Sequence, residues 1–167
     1  PVSGTALLTL SHGGGIAARH DVTAPFARQD APRPVLLVVD DDAANRGLLS
    51  RRLGQHEFTV RVAADGAEAL ALLAAAPVDA VLLDVMMPGQ SGLEVLEAIR
   101  RDPRTRALPV IMVTARADSQ DVVEALDRGA SDYVTKPLDF PVVLARVRTQ
   151  LGRVTAERAA LALQRQF

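Results

Sequence analysis

Three carboxylates, Asp40, Asp41 and Asp42, stand side by side where the apolar run of PVLLVVDDDAANR ends. Further along, Asp84, Thr114 and Lys136 each sit where another short apolar run stops. Two carboxylates about 5 Å apart at an effective dielectric of about 20 repel by roughly 3 kcal/mol, so a fold that gathers them needs a cation, a proton or a chemical task. Helix capping accounts for one of the three, and Asp42, just before a helical pattern starting at Ala43, is placed for it. Hard oxygen donors suit Mg2+, which takes one or two carboxylates and retains waters and phosphate oxygens. With such an ion offsetting charge, a carboxylate can attack phosphorus and carry an acyl phosphate.

Elements that would position these residues are readable from Pro34 onward. Short apolar runs at Val35–Val39, Phe58–Val62, Ala80–Leu83, Val110–Val113 and Tyr133–Thr135 alternate with helical patterns near 43–53, 66–75, 92–101 and 119–128. Three of the runs are almost unbroken Val, Leu or Ile, as expected of strands buried on both faces. Gly54 and Gly129 are expected to cap helices, and Asp139 is expected as an N-cap with Pro141 in the first turn. Strands alternating with helices predict an α/β fold, a parallel sheet covered on both sides. Ligands of such sheets bind beyond the carboxyl ends of the strands. Those ends carry Asp40–Asp42, Asp84, Thr114 and Lys136.

Composition narrows the class. The 167 residues are 49% hydrophobic, enough for one well-buried domain, and contain no cysteine, which excludes disulfides and thiolate metal sites. No apolar run approaches a membrane span and the N-terminus lacks signal-peptide character, so a cytoplasmic protein is expected. The net charge of -1 divides unevenly: +1 over residues 1–33, +4 over 144–167, and therefore -6 over 34–143. An acidic core argues against direct nucleic-acid binding by this chain. Residues 1–33, rich in Gly, Pro and Ala, read as a linker or leader, and Gly13–Gly15 lack the Lys-Ser/Thr ending of a phosphate loop.

The segments LLVVDDDAANR, VDAVLLDVMMPGQSGLEVLEAIR, LPVIMVTA and DYVTKPL, in that order, resemble the signature stretches of a response-regulator receiver domain over roughly residues 34–151. The resemblance implies a doubly wound five-stranded sheet of flavodoxin-like order 2-1-3-4-5. It implies that Asp84 accepts a phosphoryl group from a phosphohistidine, and that Asp40, Asp41, Asp84 and the backbone carbonyl of Met86 hold Mg2+. Thr114 and Lys136 then contact the phosphoryl oxygens, Thr114 and Tyr133 act as the switch, and the Lys136–Pro137 bond is cis. Catalysis is limited to self-phosphorylation and dephosphorylation. The implied partner is a sensor histidine kinase or phosphotransfer protein, and the implied switching surface is the fourth helix, fifth strand and fifth helix.

A second reading is a haloacid-dehalogenase-type phosphatase with Asp40 as nucleophile and Asp40-x-Asp42 as its motif. Ala44 stands where that motif expects a small hydroxyl residue or valine. A third, a degenerate receiver used only for docking, finds no support in the intact site positions. His12, His20 and His56 have no partners at ligand spacing. From Pro141 to Phe167 only Gly152 interrupts a helical pattern, and Leu144, Val147, Leu151, Val154 and Leu161 fall on heptad spacing with Arg158 among them. Residues 152–167 are thus a helical extension that pairs with a second copy, leads to an output domain beyond residue 167, or frays.

Overall fold

The computed structural model describes residues 32–115 and 119–167. Five strands alternate with five helices: β1 (Val35–Val39), α1 (Ala43–Gly54), β2 (Thr59–Ala63), α2 (Gly66–Ala75), β3 (Ala80–Asp84), α3 (Gly92–Arg101), β4 (Val110–Thr114), α4 (Ser119–Asp127), β5 (Asp132–Thr135) and α5 (Phe140–Gln164). Every strand pair is parallel and the order is β2-β1-β3-β4-β5, as the resemblance implied. The leader expected over 1–33 falls, apart from Pro32 and Arg33, outside the described residues, as do His12, His20 and Gly13–Gly15.

Alternation along the strands sorts the core into two layers. Leu37, Val39, Val81, Leu83, Val110 and Met112 face Ala69 of α2, Val95, Leu96 and Ile99 of α3, and Ala125 of α4. Leu36, Val38, Leu82, Ile111, Val113 and Val134 face Leu49 and Leu53 of α1 and Phe140, Val143 and Val147 of α5. The central strands β3 and β4 are buried along their whole length.

Three strand boundaries, at the ends of β3 and β4 and the start of β5, differ from the expected ones for one reason. A ladder is made by backbone groups, so it continues into polar residues that end an apolar run: Asp84 pairs with Val113, Thr114 with Thr135 and Asp132 with Ile111. At β2 the ladder starts one residue late, at Thr59, whose N–H donates to the Pro34 carbonyl, while Phe58 is buried against the α1–α5 layer.

Asp42 caps α1 by accepting the N–H groups of Ala44 and Asn45. Gly54 is not a cap, because α1 includes it and ends at Gln55 in ordinary helical backbone. Gly129 is one: its φ of 101° needs no Cβ, its N–H donates to Leu126 O and that of Ala130 to Ala125 O, closing a Schellman turn. Asp139 holds the N-cap position of α5 with Pro141 in the first turn, yet its side chain makes no capping bond. Gly152 does not interrupt α5, whose 25 residues span about 37 Å. The helix leaves its layer after Leu151: Val154 is half-buried and every later residue is exposed.

Two arginines tie segments together. Arg100, at the end of α3, donates to the carbonyls of Gly129 and Leu108, and burial holds its guanidinium below the ordinary arginine value. Arg148 of α5 makes a two-bond fork, 2.8 and 2.9 Å, with Glu57 in the α1–β2 turn, which lowers the Glu57 carboxyl from 4.5 to about 2. A carboxylate lowered on folding contributes stability above its unfolded pKa and loses it as pH falls through the folded one. The advantage of wild type over Glu57→Gln in denaturant midpoint is therefore expected to be full at neutral pH and to vanish between pH 4.5 and about 2.

Gly92 opens α3 against the end of β3, where an added Cβ would lie 2.1 Å from the Asp84 carbonyl oxygen. Gly47, exposed in mid-α1, has nothing within 4 Å of such an atom. Urea unfolding is expected to show Gly92→Ala losing about 2 kcal/mol or more, and Gly47→Ala gaining about 0.5–1 kcal/mol from the lower entropy of its unfolded chain.

Candidate functional site

The carboxyl ends of β1, β3, β4 and β5 meet at one rim. Asp40 follows β1, Asp84 is the last residue of β3, and both are 2% exposed; Thr114 ends β4 and is also buried. Lys136 follows β5, and its N–H donates to the Thr114 carbonyl at 2.8 Å, so the ladder itself brings the lysine beside β4. The Lys136–Pro137 bond is cis.

Lys136 Nζ donates to Asp84 Oδ2 at 3.1 Å and lies 3.7 Å from Asp40 Oδ2. Asp84 Oδ1 accepts the N–H of Met86 at 3.1 Å, and Asp40 Oδ1 that of Asp42 at 2.9 Å. One oxygen each of Asp40, Asp41 and Asp84 lies within 4.8 Å of the other two, and among the described residues this is the one group of acidic or imidazole side chains so arranged.

Charge balance decides what such a group can hold. At an effective dielectric of about 20, Lys136 attracts each of its two carboxylates by roughly 4–5 kcal/mol, against roughly 3–4 kcal/mol of repulsion between Asp40 and Asp84. One ammonium thus suffices for the buried pair. Exposed Asp41 adds two further repulsions, and the four groups, all ionised, sum to -2. Burial, and then the charge of Asp40, hold the Asp84 carboxyl above the ordinary aspartate range, with the Lys136 hydrogen bond acting against them. Burial alone would lower Lys136, but its hydrogen bond to Asp84 and the charges of Asp84, Asp40 and Asp41 outweigh burial and hold it above its ordinary value. Three hard oxygens with two surplus negative charges fit a hard divalent cation.

The remaining predicted residues sit as follows. Met86 directs its side chain to solvent, 73% exposed, two residues after Asp84 ends β3. Tyr133 is half-buried against the α2–α4 layer, opposite Met112 and therefore on the same face of the sheet as Thr114. His56 is away from the rim, its ring 5.6 Å from that of Phe140. Sequence reasoning missed Arg46 of α1, whose Nη1 donates to the Asp40 carbonyl at 2.7 Å. It passed unremarked because a main-chain acceptor leaves no residue pattern.

The phosphatase reading is not supported. Its motif needs Asp40 and Asp42 to face one substrate, whereas the Asp42 carboxylate is turned to the start of α1 as its cap. Asp40, its supposed nucleophile, is the partner of Lys136 and of the Asp42 N–H.

Comparison with known proteins agrees with this geometry. A family model described as the response regulator receiver domain matches residues 36–148. The response regulator PleD of Caulobacter vibrioides is 45% identical over 114 residues, 68% of this chain and 25% of its own. RpaA of Synechocystis sp., described as a DNA-binding dual master transcriptional regulator, is 42% identical over 120 residues, 72% of this chain and 50% of its own. The chain thus spans between a quarter and a half of these relatives. A crystal structure of a putative response regulator from Chloroflexus aurantiacus superposes with a TM-score of 0.70 at 34% identity, covering 72% of this chain and 99% of that one. From the order of its strands, the acidic rim and these matches, the chain belongs to the response regulator receiver domain family of two-component signalling.

Proposed function

We propose that Asp84 is the phospho-acceptor of this receiver, that Asp40, Asp41, Asp84 and the Met86 carbonyl hold Mg2+, and that residues 34–151 form the phosphorylated module. The observation that carries this reading is the meeting of three carboxylate oxygens and one ammonium at a single strand rim. Mg2+, when bound, offsets the charge of the incoming phosphoryl group. Asp84 Oδ attacks phosphorus as the bond from phosphorus to the donor's imidazole nitrogen breaks, leaving an acyl phosphate. Lys136, already beside Asp84 Oδ2, pairs with a phosphoryl oxygen, and the Thr114 hydroxyl bonds another. Tyr133, on the same face as Thr114, then moves with it and biases the α4-β5-α5 surface.

The donor in this reading is a sensor histidine kinase or phosphotransfer protein, and the chemistry of the chain stops at gaining and losing its own phosphoryl group. Its location is the cytoplasm; among the described residues no helix is long and apolar enough to cross a membrane. RpaA is a DNA-binding regulator by its name, and the acidic balance of residues 34–143 favours placing any nucleic-acid contact outside this module. Residues 152–167 extend α5 toward an output domain or pair with a second copy, by that helix or by the α4-β5-α5 face. On the extension Val154 is half-buried, and Leu161 and Leu163 are exposed.

Intact-mass measurement after incubation with acetyl phosphate and Mg2+ is expected to show one phosphoryl group on wild type and none on Asp84→Asn. Uptake by Asp84→Asn contradicts the assignment. Light scattering and circular dichroism on the full chain and on one ending at Leu151 test the extension: pairing by the extension predicts that truncation removes both self-association and the helical signal of residues 152–164, whereas pairing by the α4-β5-α5 face survives it. Two monomers of equal helical signal reject it.

A further inference from the structure

The β1–α1 loop is tied at each successive peptide unit. The N–H of Asp40 donates to Ala63 O on β2 at 3.2 Å, which anchors the unit between residues 39 and 40. The N–H of Asp42 donates to Asp40 Oδ1 at 2.9 Å, which anchors the unit between 41 and 42. The carbonyl of Asp42 accepts the Arg46 N–H at 3.0 Å as the first bond of α1. The unit between Asp40 and Asp41 is held from its carbonyl side by Arg46 Nη1 at 2.7 Å.

That unit sets where Asp41 points. Asp40 is buried and fixed by Lys136 and the loop, but Asp41 is exposed, and two neighbouring carboxylates repel it toward open water. Its oxygen nevertheless stays within 4.8 Å of theirs. Rotation of the 40–41 peptide would swing the Asp41 side chain off the rim, and the half-buried Arg46 guanidinium opposes that rotation.

We propose that Arg46 is a positioning residue for the divalent-cation site, acting through the Asp40 carbonyl to keep Asp41 aimed at Asp84. This rests on the Mg2+-dependent receiver reading. The arginine has two effects of opposite sign on a dication. Its charge repels the ion, so as a bare cation it would weaken binding; its hydrogen bond orders a ligand, and partners of this kind are commonly worth ten- to a hundredfold in metal affinity.

Calorimetric titration with MgCl2 at constant ionic strength separates the two. Arg46→Met is expected to bind Mg2+ about tenfold more weakly than wild type at a temperature where circular dichroism shows both folded. Arg46→Lys, which keeps the charge and reaches the carbonyl with a single donor, is expected to fall between them and serves where the methionine variant does not fold. Arg51→Met, which removes a cation from the last turn of the same helix, is expected to bind as tightly as wild type or slightly more so. Arg46→Met or, in its place, Arg46→Lys binding Mg2+ as tightly as wild type, or more tightly, overturns the proposal while leaving the receiver reading intact. Wild type failing to bind Mg2+ overturns both.

Discussion

Like charges confined at a strand rim are the constraint on which this molecule is organised. Asp40, Asp41 and Asp84 hold one oxygen each within 4.8 Å of the others, a configuration that carboxylates in water would leave at once. They stay because the backbone beneath them is committed elsewhere. Asp84 is the last rung of β3, paired with Val113, and Asp40 is bonded across to Ala63. Lys136 balances the two buried members, and the third is held on the exposed side by the geometry of its loop. The site is therefore electrostatically incomplete by construction, and in the proposed reading this is what lets a cation and a phosphoryl group change its state.

The parallel sheet is what makes such a rim possible. Parallel pairing points all five strands the same way, so their polar successors gather at one end, and both faces must then be covered by helices. Helices α2, α3 and α4 cover one face and α1 and α5 the other, with the apolar strand residues alternating between them. The fit is close at the site: Gly92 lets α3 start against the carbonyl of Asp84 itself. Thr114 and Tyr133 share the α2–α4 face, which puts both members of the proposed switch on one layer.

Much of this was legible because charge appears where the apolar runs of β1, β3 and β5 stop. Asp40, Asp84 and the single lysine announce themselves that way, and Asp42 announces its cap by preceding a helical pattern. Strand limits were less legible, since Asp84, Thr114 and Asp132 join the ladder through their backbones, which residue type does not report. Runs such as Val110–Val113 are apolar on both faces, so they carry no alternation to say which side chain meets which helix. Strand order came from family resemblance alone. Bonds from Arg46 and Arg100 to main-chain carbonyls left no trace in residue spacing, though they fix the loop beside Asp41 and the turn before β5. Gly54 carries the right residue type for a C-cap but lies inside α1, and Asp139 holds its N-cap position without a side-chain bond.

The most direct test of the central claim is the unfolding free energy of wild type and Asp41→Asn, each without and with saturating Mg2+. If repulsion among the three carboxylates is offset by a bound ion, Asp41→Asn is more stable than wild type without the ion, and Mg2+ stabilises wild type but leaves the variant nearly unchanged. An Asp41→Asn protein less stable than wild type without Mg2+, or one that gains as much stability from it, contradicts the account.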